Sequence, residues 1–329
     1  MLNSIHALRG IASIMVFIAH YRTIDRLSLP SNDFFSMGAY GVDIFFVISG
    51  FVVCLMIDKL KSLYSTARVL QFRFIISRFI RVIIPLWVAI LLQYMVVGNY
   101  SGFSNLINSI LLIPSENKYY NNLIVYYLEP QWSLLFEFLF YIVLSAFIVS
   151  NKTFLYSFLT LLIICLPYLF KTDIYVSNPI ILEFIFGMCS YKLYLYKSIP
   201  RRYFNPMWLC SCVMLFLIFS FLLREQAGDI KSTLRVFTIG ISCFFIVTVC
   251  SNYAQLNYKI ANNKILMLLG DVSYSLYLTH MVGFRFFTTY IEANSKLALF
   301  FIIIFMTTIF YIFVDKPCHI LSKLILKND

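Results

Sequence analysis

Charged residues are scarce in this sequence. Only 12% of its 329 residues are Asp, Glu, Lys or Arg, whereas soluble domains carry roughly 25%. Hydrophobic residues make up 61%, with 34 Phe and 23 Tyr. A soluble chain of this length cannot bury so much apolar surface, because its exterior must stay largely polar. The composition therefore excludes a soluble globular protein and predicts a multispanning membrane protein.

The sequence also lacks the patterns of a metal site and of a signal peptide. Its eight Cys form no CxxC frame and lie mainly within or beside apolar stretches, which indicates small packing residues rather than ligands. The first residues have no basic leader, and Arg9 interrupts the first apolar stretch. We therefore expect no metal, and we do not interpret the N-terminus as a cleaved signal.

Ten segments have the roughly 20 mostly apolar residues that a spanning helix needs. They are 5–24, 39–58, 74–97, 132–150, 153–170, 178–196, 206–223, 234–251, 268–290 and 297–315. A shorter apolar piece, 104–113, ends at Pro114 and is predicted to be re-entrant or interfacial. The predicted fold is an all-α bundle of about ten transmembrane helices. We expect a single membrane-embedded domain over 1–329, with no appended soluble domain.

The distribution of Lys and Arg predicts the orientation of these helices. Sixteen cations fall on one side: Lys59, Lys61, Arg68, Arg73, Arg78, Arg81, Lys152, Lys192, Lys197, Arg201, Arg202, Lys259, Lys264, Lys316, Lys323 and Lys327. Eight fall on the other: Arg22, Arg26, Lys118, Lys171, Arg224, Lys231, Arg235 and Lys296. The positive-inside rule then places both termini in the cytoplasm and the connection 98–131 outside. Because the net charge of +11 lies mostly in loops on one side, it does not indicate nucleic-acid binding.

Two ionisable residues lie within the first predicted helix, where burial in lipid is costly and suggests a function. Arg9 and His20 are eleven residues apart, so they project from nearly the same face, about 16 Å apart along the axis. Arg9 is expected toward the cytoplasm and His20 beyond the midplane. The alternative is a snorkelling Arg and an interfacial His.

Two acidic residues are candidates to orient the imidazole of His20. Asp43 lies near the outer end of the second predicted helix, and Glu137 lies about one and a half turns into the fourth. A nearby carboxylate would hold the ring and support its protonated form. For Asp43, the alternative is an acid at a helix start in water.

Arg78 and Arg81 open the third predicted helix and share a face, since they are three residues apart. Two guanidiniums at the cytoplasmic mouth suit phosphates, which Arg binds through planar forks. The alternative is charge that only sets the topology.

Further polar residues lie at two other helices. Ser273, Tyr277 and His280 form one polar stripe on the ninth predicted helix, which is expected to face the bundle interior or a watery cavity. A structural role in hydrogen bonding between helices is the alternative. Trp132 and Ser133 begin the fourth predicted helix. Three more residues are candidates as buried charges, and the alternative is that they only pair with one another: Glu183, Arg285 and Asp315.

These segments together resemble the acyltransferase 3 family of membrane acyltransferases, over essentially the whole chain. The matching blocks are Leu8-Arg9-Gly10-Ile11-Ala12 with His20, Gly41-Val42-Asp43-Ile44-Phe45-Phe46 running to Ser49-Gly50-Phe51, Arg78-x-x-Arg81 followed by Pro85, Trp132-Ser133-Leu134 with Glu137, Ser273-Tyr274-Ser275-Leu276-Tyr277-Leu278 with His280, and Asp315-Lys316-Pro317. Two positions depart from the family pattern: Asp315 stands where Glu is usual, and Thr279 where an aromatic residue is common.

The resemblance implies an enzyme of the bacterial inner membrane with acetyl-CoA as donor and a hydroxyl of a surface sugar as acceptor, such as O-antigen lipopolysaccharide or capsule. We expect Arg78 and Arg81 to hold the donor phosphates, with Arg9 stabilising negative charge on the donor or an intermediate. His20 is expected to act as general base, for which an unperturbed imidazole is suited, or to take the acetyl group covalently. Trp132, Ser133, Ser273, Tyr277 and His280 are predicted to bind substrate.

Other functions remain open from the sequence alone. Polar residues inside ten helices are also typical of a transporter or channel, although no duplicated pair of broken helices is present. Within the enzyme class, another acyl-CoA or a non-sugar acceptor is an alternative. Membrane lipid is an expected partner in each case, and the sequence does not determine the oligomeric state.

Overall fold

The computed structural model describes residues 2–21, 33–64, 66–172, 174–196, 204–291 and 295–327, and these are mainly helical. The helices are α1 (Asn3–Tyr21), α2 (Gly41–Lys61), α3 (Ala67–Val97), α4 (Phe103–Ile110), α5 (Trp132–Phe147), α6 (Thr153–Leu169), α7 (Leu182–Leu195), α8 (Pro206–Leu222), α9 (Thr233–Asn252), α10 (Ala254–Ala261), α11 (Lys264–Tyr290) and α12 (Lys296–Ile325). A two-residue antiparallel pair, β1 (Glu116–Asn117) with β2 (Leu123–Ile124), lies between α4 and α5.

The helices confirm an all-α membrane protein. Seven described helices are long and apolar enough to cross a membrane: α1, α2 with its preceding 3₁₀ turn, α3, α5 with the turn before it, α9, α11 and α12. The helices α6 and α8 are apolar but shorter, with 17 residues each, and α7 has 14. Large apolar side chains point outward from α12, where Phe305 is 65% and Phe313 73% exposed. Such a surface suits lipid rather than water.

The apolar piece 104–113 does not form a spanning helix. Its helix, α4, contains only eight residues, far fewer than the roughly 20 that a bilayer requires. Ile107, Ile110 and Leu111 are exposed, whereas Asn105 and Ser109 are buried. The expectation that this segment does not span is therefore confirmed.

The chain forms two compact units. The first contains 1–19, 31–67 and 146–273, and the second contains 20–30, 68–145 and 274–329.

In the first unit, α2 and α7 approach closely through glycines. A Cβ on Gly50 would lie 2.2 Å from the carbonyl oxygen of Phe184, and a Cβ on Gly187 would lie 2.2 Å from that of Val47. Small residues at such crossings allow backbone-to-backbone packing between helices in lipid.

In the second unit, hydrogen bonds join α3 to α11 and α12. The Tyr274 hydroxyl donates to the carbonyl of Val82 at 2.8 Å, and the Ser77 hydroxyl donates to the carbonyl of Ser322 at 3.0 Å. Because a polar group left unsatisfied in lipid is costly, these bonds help to fix how the helices pack.

One residue assigned to a loop lies elsewhere. Arg235 was counted among the non-cytoplasmic loop cations, but it belongs to α9 and is 1% exposed. That assignment is wrong, because a buried carboxylate compensates the guanidinium inside the bundle. Five of the other counted cations lie outside the described residues: Arg22, Arg26, Lys197, Arg201 and Arg202.

Candidate active site

Two histidines meet within the second unit. His20 lies in the last turn of α1, and His280 lies in the middle of α11. The Nε2 atom of His280 is 3.4 Å from Nδ1 of His20, and the ring centroids are 5.1 Å apart. His280 is fully buried and His20 is half-buried. The sequence predicted both residues as site residues but did not predict that they pair.

The contacts of His280 determine which nitrogens carry protons in a neutral pair. Its Nδ1 is 2.9 Å from the carbonyl oxygen of Leu276. A carbonyl only accepts, so Nδ1 of His280 holds the proton and Nε2 holds the lone pair. His20 then donates from Nδ1 to Nε2 of His280, which leaves the lone pair of His20 on its own Nε2. A neutral imidazole with this tautomer can accept a proton at Nε2.

One turn before His280, Tyr277 joins α11 to the start of α5. Its hydroxyl donates to the carbonyl of Pro130 at 2.9 Å and lies 2.6 Å from the hydroxyl of Ser133. The rings of Tyr277 and His280 have centroids 6.2 Å apart. These contacts hold the polar face of α11 against α5, as expected for a stripe that faces the interior.

Two other predicted residues lie on the first turns of α5. Glu137 is half-buried and accepts a hydrogen bond from the hydroxyl of Tyr141, one turn later. Trp132 packs edge-on against Phe136, with ring centroids 6.2 Å apart. The role of Glu137 in orienting His20 stays a prediction.

Arg78 and Arg81 both lie on α3 in the second unit. The guanidinium of Arg78 is over the rings of Phe74 and Tyr141, at 5.9 Å and 5.7 Å from their centroids. Aromatic faces attract a cation and restrict its position. Arg78 is therefore held on the surface of α3 by its neighbours.

Arg81 pairs with Asp315, which lies on a π-helical turn within α12. Ser275 donates to the second carboxylate oxygen of Asp315 at 2.8 Å, and the guanidinium lies 5.1 Å from the ring centroid of Tyr274. Arg285 instead pairs with Glu129, at 2.6 Å. The alternative in which Asp315, Arg285 and Glu183 pair with one another is therefore wrong, because Asp315 pairs with Arg81 and Arg285 pairs with Glu129.

In the first unit, Asp43 is fully buried and bonded to Arg235. It is therefore not a helix-start acid in water, and that alternative is wrong. Glu183 is also fully buried near this pair, against Gly240, on which a Cβ would be 3.0 Å from a carboxylate oxygen of Glu183. The role of Asp43 in orienting His20 stays a prediction.

The remaining predicted residues of the first unit have local contacts. Arg9 lies one turn after His6 on α1, and His6 bonds to Asp271 at 3.0 Å. The hydroxyl of Ser273 is buried and donates to the carbonyl of Gly270 on its own helix, at 2.8 Å. The role of Arg9 in stabilising charge and that of Ser273 in binding substrate stay predictions.

Sequence reasoning missed two residues that the structure places in buried ion pairs. Arg235 follows the loop cation Lys231 closely, so it was grouped with the loop. Glu129 directly precedes Pro130 and lies in the turn before α5. In both cases the sequence shows an ionisable residue at the edge of an apolar stretch. Its position alone does not determine whether the side chain faces water or the protein interior.

These features define a class of protein: a multi-pass membrane protein with a histidine pair, one member of which is fully buried, and several arginines held among its helices. The model of the acyltransferase 3 family, described as an acyltransferase domain, matches residues 2–315. The chain belongs to this family, as its motifs predicted, and is an enzyme that transfers acyl groups.

The chain is also similar to a curated protein. The chain is 28% identical over 261 residues to the exopolysaccharide production protein ExoZ of Rhizobium meliloti (strain 1021), an alignment that covers 75% of this chain and 76% of that protein. No solved structure matches the chain.

Proposed function

We propose that this protein is an O-acetyltransferase of the bacterial inner membrane, which transfers an acetyl group from acetyl-CoA to a hydroxyl of a surface glycan. The observation that carries the proposal is the His20–His280 pair, with Nδ1 of His20 3.4 Å from Nε2 of His280. The pair presents the lone pair of His20 on Nε2, where a general base needs it.

The reaction follows from that tautomer. Nε2 of His20 removes the proton of the acceptor hydroxyl, and the oxygen attacks the carbonyl carbon of the thioester. The carbon–sulfur bond breaks, and the departing CoA thiolate takes the proton back from His20. The products are the acetyl ester and CoA thiol. In a second route, Nε2 of His20 attacks the carbonyl carbon of the thioester and CoA leaves as the thiolate. The acceptor oxygen then attacks the acetyl-histidine, the bond to Nε2 breaks, and the hydroxyl proton passes to the thiolate, which again gives CoA thiol.

His280 supports this reaction as a positioning residue. It accepts from Nδ1–H of His20, so it fixes the ring and stabilises the imidazolium that forms when Nε2 takes the proton. A hydrogen-bonded partner on the second nitrogen commonly sets which nitrogen of a histidine reacts. In this proposal His280 contacts the general base, His20, and not the substrate as the sequence predicted. Tyr277 and Ser133 lie beside the histidine pair.

The donor is proposed to bind through Arg78, with Arg81 beside it on the same face of α3. Aromatic contacts hold the Arg78 guanidinium (5.7 Å from the Tyr141 ring centroid), and Asp315 holds Arg81. Cations fixed in this way suit the phosphates of CoA, because less side-chain freedom is lost on binding.

The acceptor and the topology complete the proposal. We propose ten spans with both termini in the cytoplasm, so that CoA binds on the inner side and the glycan approaches from outside. Similarity to a protein named for exopolysaccharide production favours a polysaccharide acceptor. No metal takes part in the proposed reaction.

The experiment compares His20→Ala and His20→Gln with a matched control, His319→Gln, in the same unit. Purified protein receives acetyl-CoA and de-O-acetylated surface polysaccharide, and free CoA thiol and glycan mass are measured. We expect the His20 variants to insert normally and to lose about 10²- to 10⁴-fold in rate, the usual contribution of a general base, while the control keeps its rate.

Two results would overturn the proposal. If the His20 variants acetylate at the wild-type rate, His20 is not the base. If the wild-type protein releases no thiol and the glycan gains no acetyl group, the transporter alternative is favoured, since a transporter has no reason to cleave a thioester.

A further inference from the structure

A cavity to which mainly polar residues contribute lies in the connection between α3 and α5, residues 98–131, within the second unit. Its volume is about 510 Å³, within the range of small-molecule sites. Hydroxyl, amide, carboxylate and ammonium groups line it, together with one aromatic ring: Ser101, Phe103, Ser104, Glu116, Lys118 and Asn122. The reaction proposed above uses none of these residues.

One hydroxyl in the wall is left without a protein partner. Ser101 is 1% exposed, and its Oγ makes no hydrogen bond to any residue that the structure describes. A buried hydroxyl without a partner costs free energy. Ser101 belongs to the lining, so rotation of its side chain toward the cavity would bring the hydroxyl within reach of a polar group of a ligand.

Hydrogen bonds hold the walls of the cavity in place. The amide nitrogen of Asn105 is bonded to the carbonyl of Val125 at 3.0 Å and to the hydroxyl of Ser115 at 3.1 Å. The backbone nitrogen of Lys118 is bonded to the carbonyl of Ser101 at 3.3 Å. These bonds connect α4, the β1–β2 pair and the segment after it, so the cavity exists before any ligand binds.

The side chain of Lys118 packs closely against a glycine in the lining of the cavity. Gly102 has a φ of +95°, and a Cβ there would be 3.3 Å from Cδ of Lys118. Any other residue would be strained in this conformation and would press on the lysine stem. The absence of a side chain at Gly102 therefore leaves space for the aliphatic part of Lys118 beside the backbone.

The lining suits a carbohydrate better than a lipid or a single anion. Each sugar hydroxyl both donates and accepts, and hydroxyl and amide side chains do the same. Lys118 and Glu116 contribute opposite charges, so the cavity has no net preference for an anion. Phe103, which is 67% exposed, offers an apolar face to the carbon–hydrogen side of a sugar ring.

We infer that this cavity binds the glycan acceptor through its hydroxyls. The inference rests on the proposed function, because it assigns a holding site for the acceptor of that reaction and needs residues 98–131 on the outer side. When the glycan is bound in this cavity, the local concentration of its hydroxyls near the reaction centre is raised, because a long ligand that is held at one site meets a second site more often.

The test measures binding apart from catalysis. Oligosaccharides are released from the host's own surface polysaccharide, de-O-acetylated, and titrated into purified full-length protein by saturation-transfer NMR and calorimetry, without acetyl-CoA. Ser104→Trp places a large ring in the cavity, and Leu111→Trp adds the same ring at an exposed residue outside the lining. We expect Ser104→Trp to weaken binding at least tenfold and Leu111→Trp to leave it unchanged.

A milder variant, Ser101→Ala, covers the case in which Ser104→Trp fails to fold. Removing the unpartnered hydroxyl is expected to weaken binding several-fold without lowering stability. Wild-type protein that binds no oligosaccharide, or folded variants that all bind as wild type, would overturn the inference. In a parallel assay, release of CoA thiol from acetyl-CoA is measured in the presence of the oligosaccharide acceptor. No thiol release by wild type would contradict the proposed function, whereas normal thiol release with unaltered binding in the variants contradicts only the cavity.

Discussion

The guanidinium of Arg235 donates to both carboxylate oxygens of Asp43, from Nε at 2.9 Å and from Nη2 at 2.6 Å. Both side chains are almost completely buried, at 1% and 0% exposed. A third bond runs from Arg235 to the carbonyl of Ala227 at 2.9 Å, and the ring of Tyr40 lies under the guanidinium, 5.1 Å away. The pair therefore joins α2 to α9 and to the segment before α9.

We predict that Arg235→Ala lowers the free energy of unfolding by about 3–5 kcal/mol, because it leaves the Asp43 carboxylate buried without its partner. Arg235→Lys should recover little of this loss, since an ammonium cannot form the two parallel bonds. The measurement is thermal unfolding in detergent, followed by size-exclusion chromatography.

The matched control is Arg224→Ala in the same unit. Arg224 is a third exposed (33%) and lies 3.8 Å from Glu225, and such surface pairs contribute about 0–1 kcal/mol. Equal melting temperatures for the Arg235 and Arg224 variants would contradict a structural role for the buried pair.

The crossing of α2 and α7 gives a second prediction. Gly187→Ala places a methyl group 2.2 Å from the carbonyl oxygen of Val47, so the helices must separate, and overpacking of this kind costs about 1–3 kcal/mol. Gly228→Ala is the control, because nothing lies within 4 Å of the added Cβ. If the Gly187 variant is as stable as the Gly228 variant, α2 and α7 accommodate the methyl group without a loss in the free energy of unfolding, which would contradict the prediction.

The histidine pair gives a third prediction. His280→Phe removes the acceptor for Nδ1–H of His20, so we expect kcat to fall about 10- to 100-fold, the size of effect typical of a residue that orients a catalytic histidine. The KM for acetyl-CoA should stay within about twofold, because such a loss concerns the transition state rather than donor binding.

The conservative variant His280→Gln separates positioning from packing. Its amide oxygen can occupy the place of Nε2 and accept from His20, so it should restore part of kcat. If His280→Phe is as active as wild type, or if Gln is no better than Phe, the positioning role is incorrect.

The donor site gives a fourth prediction. Arg78→Ala should raise the KM for acetyl-CoA about tenfold or more, because a hydrogen bond to a charged group contributes about 1.5–3 kcal/mol. The value of kcat should change little, since phosphates far from the thioester bind equally in the ground and transition states. The control is Arg68→Ala, at an exposed position on the same helix. An unchanged KM in Arg78→Ala would remove this residue from the donor site.

The positions of the helices follow from the sequence because hydropathy is a local property. Each of the ten apolar segments contains a described helix, and the piece 104–113 forms only the eight-residue α4. The family motifs were likewise contiguous enough to be identified from the chain alone. Helix lengths are less predictable: the apolar segment 178–196 contains a 3₁₀ turn, Pro179–Ile181, followed by an α-helix of only 14 residues.

The partners of the buried charges were decided by tertiary structure. The sequence identified Asp43, Asp315 and Arg285 as candidate residues, but it did not indicate that their partners are Arg235, Arg81 and Glu129. Arg235 is separated from Asp43 by 192 residues, and His280 from His20 by 260. Hydropathy determines which residues lie inside the membrane, whereas the rotation and depth of each packed helix determine which of those residues touch. For this reason the sequence identified His20 as the candidate base, and only the tertiary structure showed that a second imidazole, that of His280, lies 3.4 Å from it.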